Sequence, residues 1–234
     1  MKTSNKILII TFSLILLFIA GMITVSRFAI DPEYAEKSAE DHWSDSELTN
    51  YVLKDFTEVS VSGNWDVTII SNDTFKVRIY YPKETKDRLS VSKRGSLLQL
   101  NSSGNFHRRR DQFKAEIHMP NLSKIQSEMT STIRFDGFKS PKLDLKIDGA
   151  GWITGSNNII ESLELSTEGA SQIDLKFSTV INAHLDMNGA GSVRLNMAGG
   201  KLTGSANGAG SIVYSGSVSE QDIQTNGAVS IRKR

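Results

Sequence analysis

A short glycine-alanine motif recurs at a nearly constant spacing in the second half of the chain. Its glycines are separated by 20, 20, 19 and 19 residues. Weaker copies of the motif are centred on Met129 and Gly63. A repeat of this length is one supersecondary unit, which buries its apolar side chains against neighbouring copies. The five complete copies contain Gly149, Gly169, Gly189, Gly208 and Gly227.

Apolar and polar residues alternate on both sides of each glycine. Before Gly149, the apolar residues are Leu143, Leu145 and Ile147, and Ile153 follows the glycine by four residues. This period of two predicts half-buried β-strands, two or three in each unit. Glycine, often preceded by asparagine, suits the positive φ of a tight turn between the strands.

Two architectures fit a β-repeat of this length. One is a parallel β-helix, and the other is a series of antiparallel hairpins in a sandwich or barrel. The same residue types recur at the same phase in every unit, which direct stacking of equivalent positions explains. The sequence therefore predicts an all-β parallel β-helix, or solenoid, with coils of about 20 residues.

The amino terminus predicts export. Residues 7–25 carry no charge and would span about 28 Å as a helix, close to the thickness of a bilayer core. Lys2 and Lys6 precede this run and favour a cytoplasmic amino terminus. We therefore expect a transmembrane signal anchor over 7–26, placed in the inner membrane as a single pass; a cleaved leader is the alternative.

The remaining boundaries follow from charge and periodicity. Residues 1–6 form a predicted cytoplasmic tail, 27–50 a predicted acidic linker, and 51–234 the predicted solenoid, in the periplasm or outside the cell. The solenoid segment has 23 basic and 19 acidic residues, a balance of +4, which does not indicate nucleic-acid binding. The chain has no cysteine, so it has neither disulfides nor thiolate metal sites.

Two segments resemble a known family. They are Phe56-x-x-Val59-x-Val61-Ser62-Gly63-x-Trp65-Asp66-Val67 and, before the repeats, Met119-Pro120-Asn121-Leu122. With the Gly-Ala repeats, they resemble the head GIN domain of bacterial auto-transporter adhesins over about residues 53–231. The resemblance implies a right-handed parallel β-helix and an envelope location, commonly in Gram-negative bacteria. It brings no catalytic residues.

The residue before each glycine forms a predicted polar column. Its carboxylates are Glu128, Asp148 and Glu168, and stacking would place neighbours about 5 Å apart. That separation suits a retaining glycosidase, and an oxygen-rich column also suits Ca²⁺. The alternative is that these side chains only satisfy backbone groups at the turns.

Two other features are candidate ligand contacts. Trp152 replaces the small polar residue found at its phase in later repeats, so we expect it to point outward, where it could stack on a sugar or contact a partner. Arg108, Arg109 and Arg110 form the densest basic cluster and could bind phosphate or an acidic glycan. Ordinary surface packing and a solvated loop are the respective alternatives.

These features together favour a non-enzymatic, adhesin-like module that binds cell-envelope polymer or a protein partner, without a cofactor. Two other hypotheses stay open. One is a polysaccharide-active enzyme that uses the carboxylate column. The other is a structural envelope protein that assembles by self-association through its last coil.

Overall fold

A computed structural model describes residues 46–104 and 112–234. Residues 46–234 form one compact unit. Its described part contains a single short 3-10 helix, Lys83–Arg88, among eleven strands. The strands are β1 (Ser46–Tyr51), β2 (Glu58–Ser62), β3 (Trp65–Ser71), β4 (Lys76–Pro82), β5 (Leu89–Arg94), β6 (Leu97–Ser102), β7 (Phe113–Met119), β8 (Lys124–Asp136), β9 (Lys139–Ala198), β10 (Lys201–Ser217) and β11 (Glu220–Lys233).

All eleven strands belong to one mixed sheet. Its order is β1-β4-β7-β3-β8-β2-β6-β5, and β9, β10 and β11 continue the sheet from β8. The pairs β1–β4, β4–β7 and β5–β6 are antiparallel. The pairs that β8 makes with β2, β3 and β9, and those of β10, are parallel.

Equivalent residues of successive repeats lie side by side in the sheet. Asn207 of β10 is opposite Asn188 of β9 and Asn226 of β11. The motif glycines have positive φ, for example +104° at Gly169 and +118° at Gly208. A Cβ atom on Gly169 would lie only 2.6 Å from the carbonyl oxygen of Gly149. Glycine is therefore required both by the backbone conformation and by the close approach of the neighbouring repeat.

The prediction of a parallel β-helix is wrong. The sheet is curled into a half-barrel, and it is mixed rather than parallel. A parallel β-helix would divide each coil into short strands, whereas β9 continues through 60 residues. Residues 76–119 lack the glycine motif, and here β4 and β5 reverse direction in antiparallel pairs. The repeat spacing predicted how units lie beside each other, but it held no information on these reversals.

The predicted N-terminal transmembrane helix is not part of the described structure. Its segment, residues 7–26, lies outside the described residues, as do the predicted tail and most of the predicted linker. Within 46–104 and 112–234, no helix has the length and apolar character needed to cross a membrane.

The core lies on the concave side of the curled sheet. In most strands, alternate residues point inward and are buried, as the period of two predicted, whereas β1, β5 and β11 contain no fully buried residue. Trp65 and Phe113 stack with ring centroids 5.1 Å apart, where β3 pairs with β7. In the repeats, the buried positions include Ile153, Ile173 and Val193. The intervening residues are left on the outer face, where a ligand could reach them.

Candidate binding face

Trp152 lies on the outer face of β9, immediately after the turn at Gly149. Its side chain is 53% exposed, and it is opposite Thr132 of β8. The buried neighbours Gly151 and Ile153 fix the strand on either side, so the indole projects outward. The structure thus places Trp152 as the sequence predicted, as a large aromatic side chain among small polar ones.

Ion pairs flank Trp152 on the same face. Arg134 of β8 is opposite Thr154, and it pairs with Asp66 of β3. In the following repeats, Asp174 pairs with Arg194 at 3.2 Å. We call the outward side chains of Asp66, Thr132, Arg134, Trp152, Thr154, Gln172, Asp174 and Arg194 the Trp152 face.

Asp174 is the more buried of the two carboxylates on the Trp152 face. Only 12% of its side chain is exposed, and it accepts hydrogen bonds from the Lys176 backbone N–H and from Arg194, each at 3.2 Å. Burial raises the pKa of Asp174, but the hydrogen bonds and the Lys176 charge outweigh burial and leave this pKa below its usual value. The carboxylate therefore stays ionised at neutral pH and holds Arg194 in place.

The predicted polar column exists, but its members have local partners. Glu128 is opposite Asp148 in the β8–β9 pair. Gln126 donates to Glu128 at 3.3 Å, and Lys146 pairs with Asp148 at 3.5 Å. Further along the column, Asn207 donates to Asn188 at 3.1 Å. These contacts fit turn residues that satisfy one another along the sheet.

Glu168 occupies the next place in this column, since the backbone of Gly169 lies against that of Gly149. Among the residues that the structure describes, no group of three or more His, Asp or Glu side chains has the arrangement of a metal site. The third predicted feature, Arg108, Arg109 and Arg110, lies outside the described residues.

The structure also shows a polar cluster that sequence reasoning missed. Glu116 of β7 accepts a hydrogen bond of 2.8 Å from His118 and pairs with Lys76 at 3.3 Å and Arg78 at 3.8 Å on β4. Burial raises the pKa of Glu116, but hydrogen bonds from His118 and Lys76 and the charges of Lys76 and Arg78 bring this pKa below its usual value. The antiparallel register of β4 and β7 creates this cluster, and no sequence pattern indicates that register.

Two exposed apolar side chains were also missed. Phe177 is 67% exposed, with the Lys176 ammonium 4.8 Å from its ring centre, and Ile159 is half-exposed. Phe177 follows Leu175, a buried residue, by two positions and would be inward in a regular strand. In the sequence, only a break in the alternation of apolar and polar residues could have indicated that Phe177 is exposed.

The chain belongs to the family described as "Putative auto-transporter adhesin, head GIN domain", whose model matches residues 55–194. This confirms the resemblance noted in the sequence. The family supports a non-enzymatic binding role and a cell-envelope or extracellular domain. No curated protein matches the sequence.

The chain is similar to several solved structures, the first of which shares its fold. A crystal structure of a "putative adhesin" from Bacteroides fragilis matches with a TM-score of 0.62 at 16% identity, covering 82% of this chain and 98% of that one. A "putative adhesin" from Parabacteroides merdae has a TM-score of 0.48 at 12% identity, with 81% and 97% covered. A "putative lipid binding protein" from Parabacteroides distasonis has a TM-score of 0.47 at 13% identity, with 81% and 97% covered.

Proposed function

We propose that this protein is a non-enzymatic adhesin-like module that binds a polymer of the cell envelope through the Trp152 face. The observation that carries the proposal is the half-exposed indole of Trp152, which lies on β9 between two ion pairs. Membership of an adhesin family supports a binding role, and the nature of the ligand is our inference from the face itself.

The chemistry of the Trp152 face suits a sugar ring. An indole offers a flat apolar surface for the C–H groups of a sugar, and its exposure leaves that surface free to stack. Around it, Thr154 and Gln172 can donate and accept hydrogen bonds, and Arg134 and Asp174 offer the paired polar groups that bind hydroxyls. A protein partner that stacks an apolar side chain on Trp152 is the alternative occupant.

The run from Arg108 to Arg110 is a second proposed contact, for a polymer that carries acidic groups. Arginine binds carboxylate and phosphate through two parallel hydrogen bonds, so such a run would add affinity and salt dependence. This arginine run lies outside the described residues, so we propose the contact from the chemistry of arginine alone.

The test is a binding screen of the protein against peptidoglycan and envelope glycans, with and without Ca²⁺. We expect saturable binding to one polymer class, and we expect Trp152→Ala to weaken it about 5-fold to 150-fold, because one stacked aromatic contributes about 1–3 kcal/mol. The matched control is Ile159→Ala, which removes another exposed apolar side chain of β9, one that is not part of the Trp152 face.

The control should bind as tightly as the wild type. Equal loss in both variants, or unchanged binding by Trp152→Ala, would rule out the Trp152 face as the binding site. If binding depended on Ca²⁺ and Asp148→Asn abolished that binding, the carboxylate column would instead be a ligand site. Binding only to a protein fraction would favour the alternative occupant.

A further inference from the structure

The last strand, β11, has one unpaired edge. Among the described residues it pairs only with β10. The inward side chains of Ile223, Val229 and Ile231 are only half-buried, although Val193 and Ile212, which are equivalent to Ile231 in the preceding repeats, are fully buried. The unpaired backbone groups of such an open edge can form hydrogen bonds with another strand, which would also cover the apolar side chains beneath it.

The sequence of β11 caps this edge only in part. Terminal units of repeat proteins are usually atypical, with polar residues where inner units are apolar. Here the motif Asn226-Gly227-Ala228 is the same as Asn207-Gly208-Ala209 of the inner unit, and the two are paired residue for residue. Polar Gln221, Thr225 and Lys233 stand where β10 has buried apolar residues, but Ile231 keeps the apolar character of Ile212. The last repeat therefore leaves part of the apolar surface of an inner repeat at its open edge.

The bend at Gly227 determines which register a second strand can take. Gly227 has a φ of +101°, as the inner motif glycines do, and it separates an arm over 220–226 from an arm over 228–233. A second bent strand can follow both arms only if its own bend lies at the same point. Two identical strands meet this condition when a twofold axis passes beside Gly227, because the axis then places the two Gly227 residues opposite each other. The axis also reverses the direction of the second strand, so the pair is antiparallel.

In that register the side chains are complementary. Arg232 follows Gly227 by five residues and is opposite Asp222 of the partner subunit, which precedes Gly227 by five residues. Seven residues outward, Arg234, which directly follows β11, is opposite Glu220 of the partner subunit, a carboxylate that also pairs with Lys201 of its own chain at 2.6 Å. Four residues outward, on the core side, Ile231 is opposite Ile223 of the partner subunit. The twofold axis repeats each of the two charged pairs, so the dimer would contain four ion pairs.

We propose that two copies of this chain dimerise through β11, antiparallel about a twofold axis at Gly227, which joins their sheets into one. The geometry of the bend sets the register, and the charge match in that register is an independent observation. The dimer covers the half-buried side chains of Ile223, Val229 and Ile231 and pairs the free edge of the sheet.

The test is the oligomeric state of the full chain in detergent, measured by light scattering and sedimentation over a range of concentrations. We expect a dimer for the wild type. Asp222→Arg and Arg232→Asp should each weaken dimerisation by about tenfold or more, since each change places like charges opposite each other twice. The double variant restores opposite charges and should dimerise nearly as well as the wild type.

The matched control is Asp186→Arg, a charge reversal at an outward position of β9 where the side chain is 51% exposed. It should leave the dimer unchanged. A wild type that stays monomeric at high concentration overturns the proposal. So does a dimer that is indifferent to both single changes, or one that the double variant fails to restore.

Discussion

Gly189 shows how closely the repeats approach each other. Its φ is +115°, and a Cβ atom there would lie 2.3 Å from the carbonyl oxygen of Gly169. We expect Gly189→Ala to lower the free energy of unfolding by about 2–4 kcal/mol, because the strained backbone and the backbone contact add. Thermal and denaturant unfolding of the two proteins measure this difference.

Gly95 provides the matched control for this prediction. It also has positive φ, +58°, but a Cβ atom there would meet nothing within 4 Å. Gly95→Ala should therefore cost only the conformational strain, about 1 kcal/mol. If Gly189→Ala cost no more than Gly95→Ala, stacking of the motif glycines would not be what requires them.

Between neighbouring repeats, Asp174 forms a link that depends on pH. Its folded-state pKa is depressed, so its contribution to stability is present above the usual pKa of an aspartate and is lost as the pH falls through the folded-state value. We expect Asp174→Asn to destabilise the protein by about 1 kcal/mol at pH 7. The difference from the wild type should shrink below about pH 4.

Unfolding by denaturant across this pH range measures the effect. Asp186→Asn is the control, because Asp186 is more exposed, lies 3.5 Å from His184, and accepts from Ser205 a hydrogen bond that an asparagine oxygen can also accept. Its effect should stay within about 0.5 kcal/mol at every pH. An Asp174→Asn difference that stayed constant down to pH 3 would contradict the proposed role of the ionised carboxylate.

At the level of strands, the repeats were predictable and the segment before them was not. The alternation around Gly149, Gly169 and Gly189 predicted which side chains are buried, since a strand has only two faces. Strands β4 and β5 alternate in the same way, but alternation does not distinguish parallel from antiparallel pairing. The parallel β-helix was wrong for this reason, because it extended the repeat to residues that lack it.

In the candidate site, too, the features that depend on the repeat were predictable and those that depend on strand pairing were not. Trp152 was found because it breaks a repeated phase, and the repeat made its outward direction predictable. Its flanking residues Asp66 and Arg134 are 68 positions apart, and only the pairing of β3 with β8 brings them together. Glu116 was missed for the same reason, since its partners come from a neighbouring strand.

For the whole molecule, the proposed binding role requires the Trp152 face to lie outside the cytoplasm. The uncharged run over residues 7–25 predicts export, and the family supports an envelope or extracellular domain. The chain has no cysteine, so a single engineered cysteine can report location without interference. Val52 is a suitable position, because its side chain is 90% exposed and follows the edge strand β1.

We expect Val52→Cys to react with a membrane-impermeant maleimide in intact bacterial spheroplasts, to the same extent as after lysis. The reagent cannot cross the cytoplasmic membrane, because a charged group is costly to transfer into hydrocarbon. The wild type should remain unlabelled in both samples. Labelling of Val52→Cys that occurs only after lysis would place the module in the cytoplasm and would exclude the proposed binding of envelope polymer.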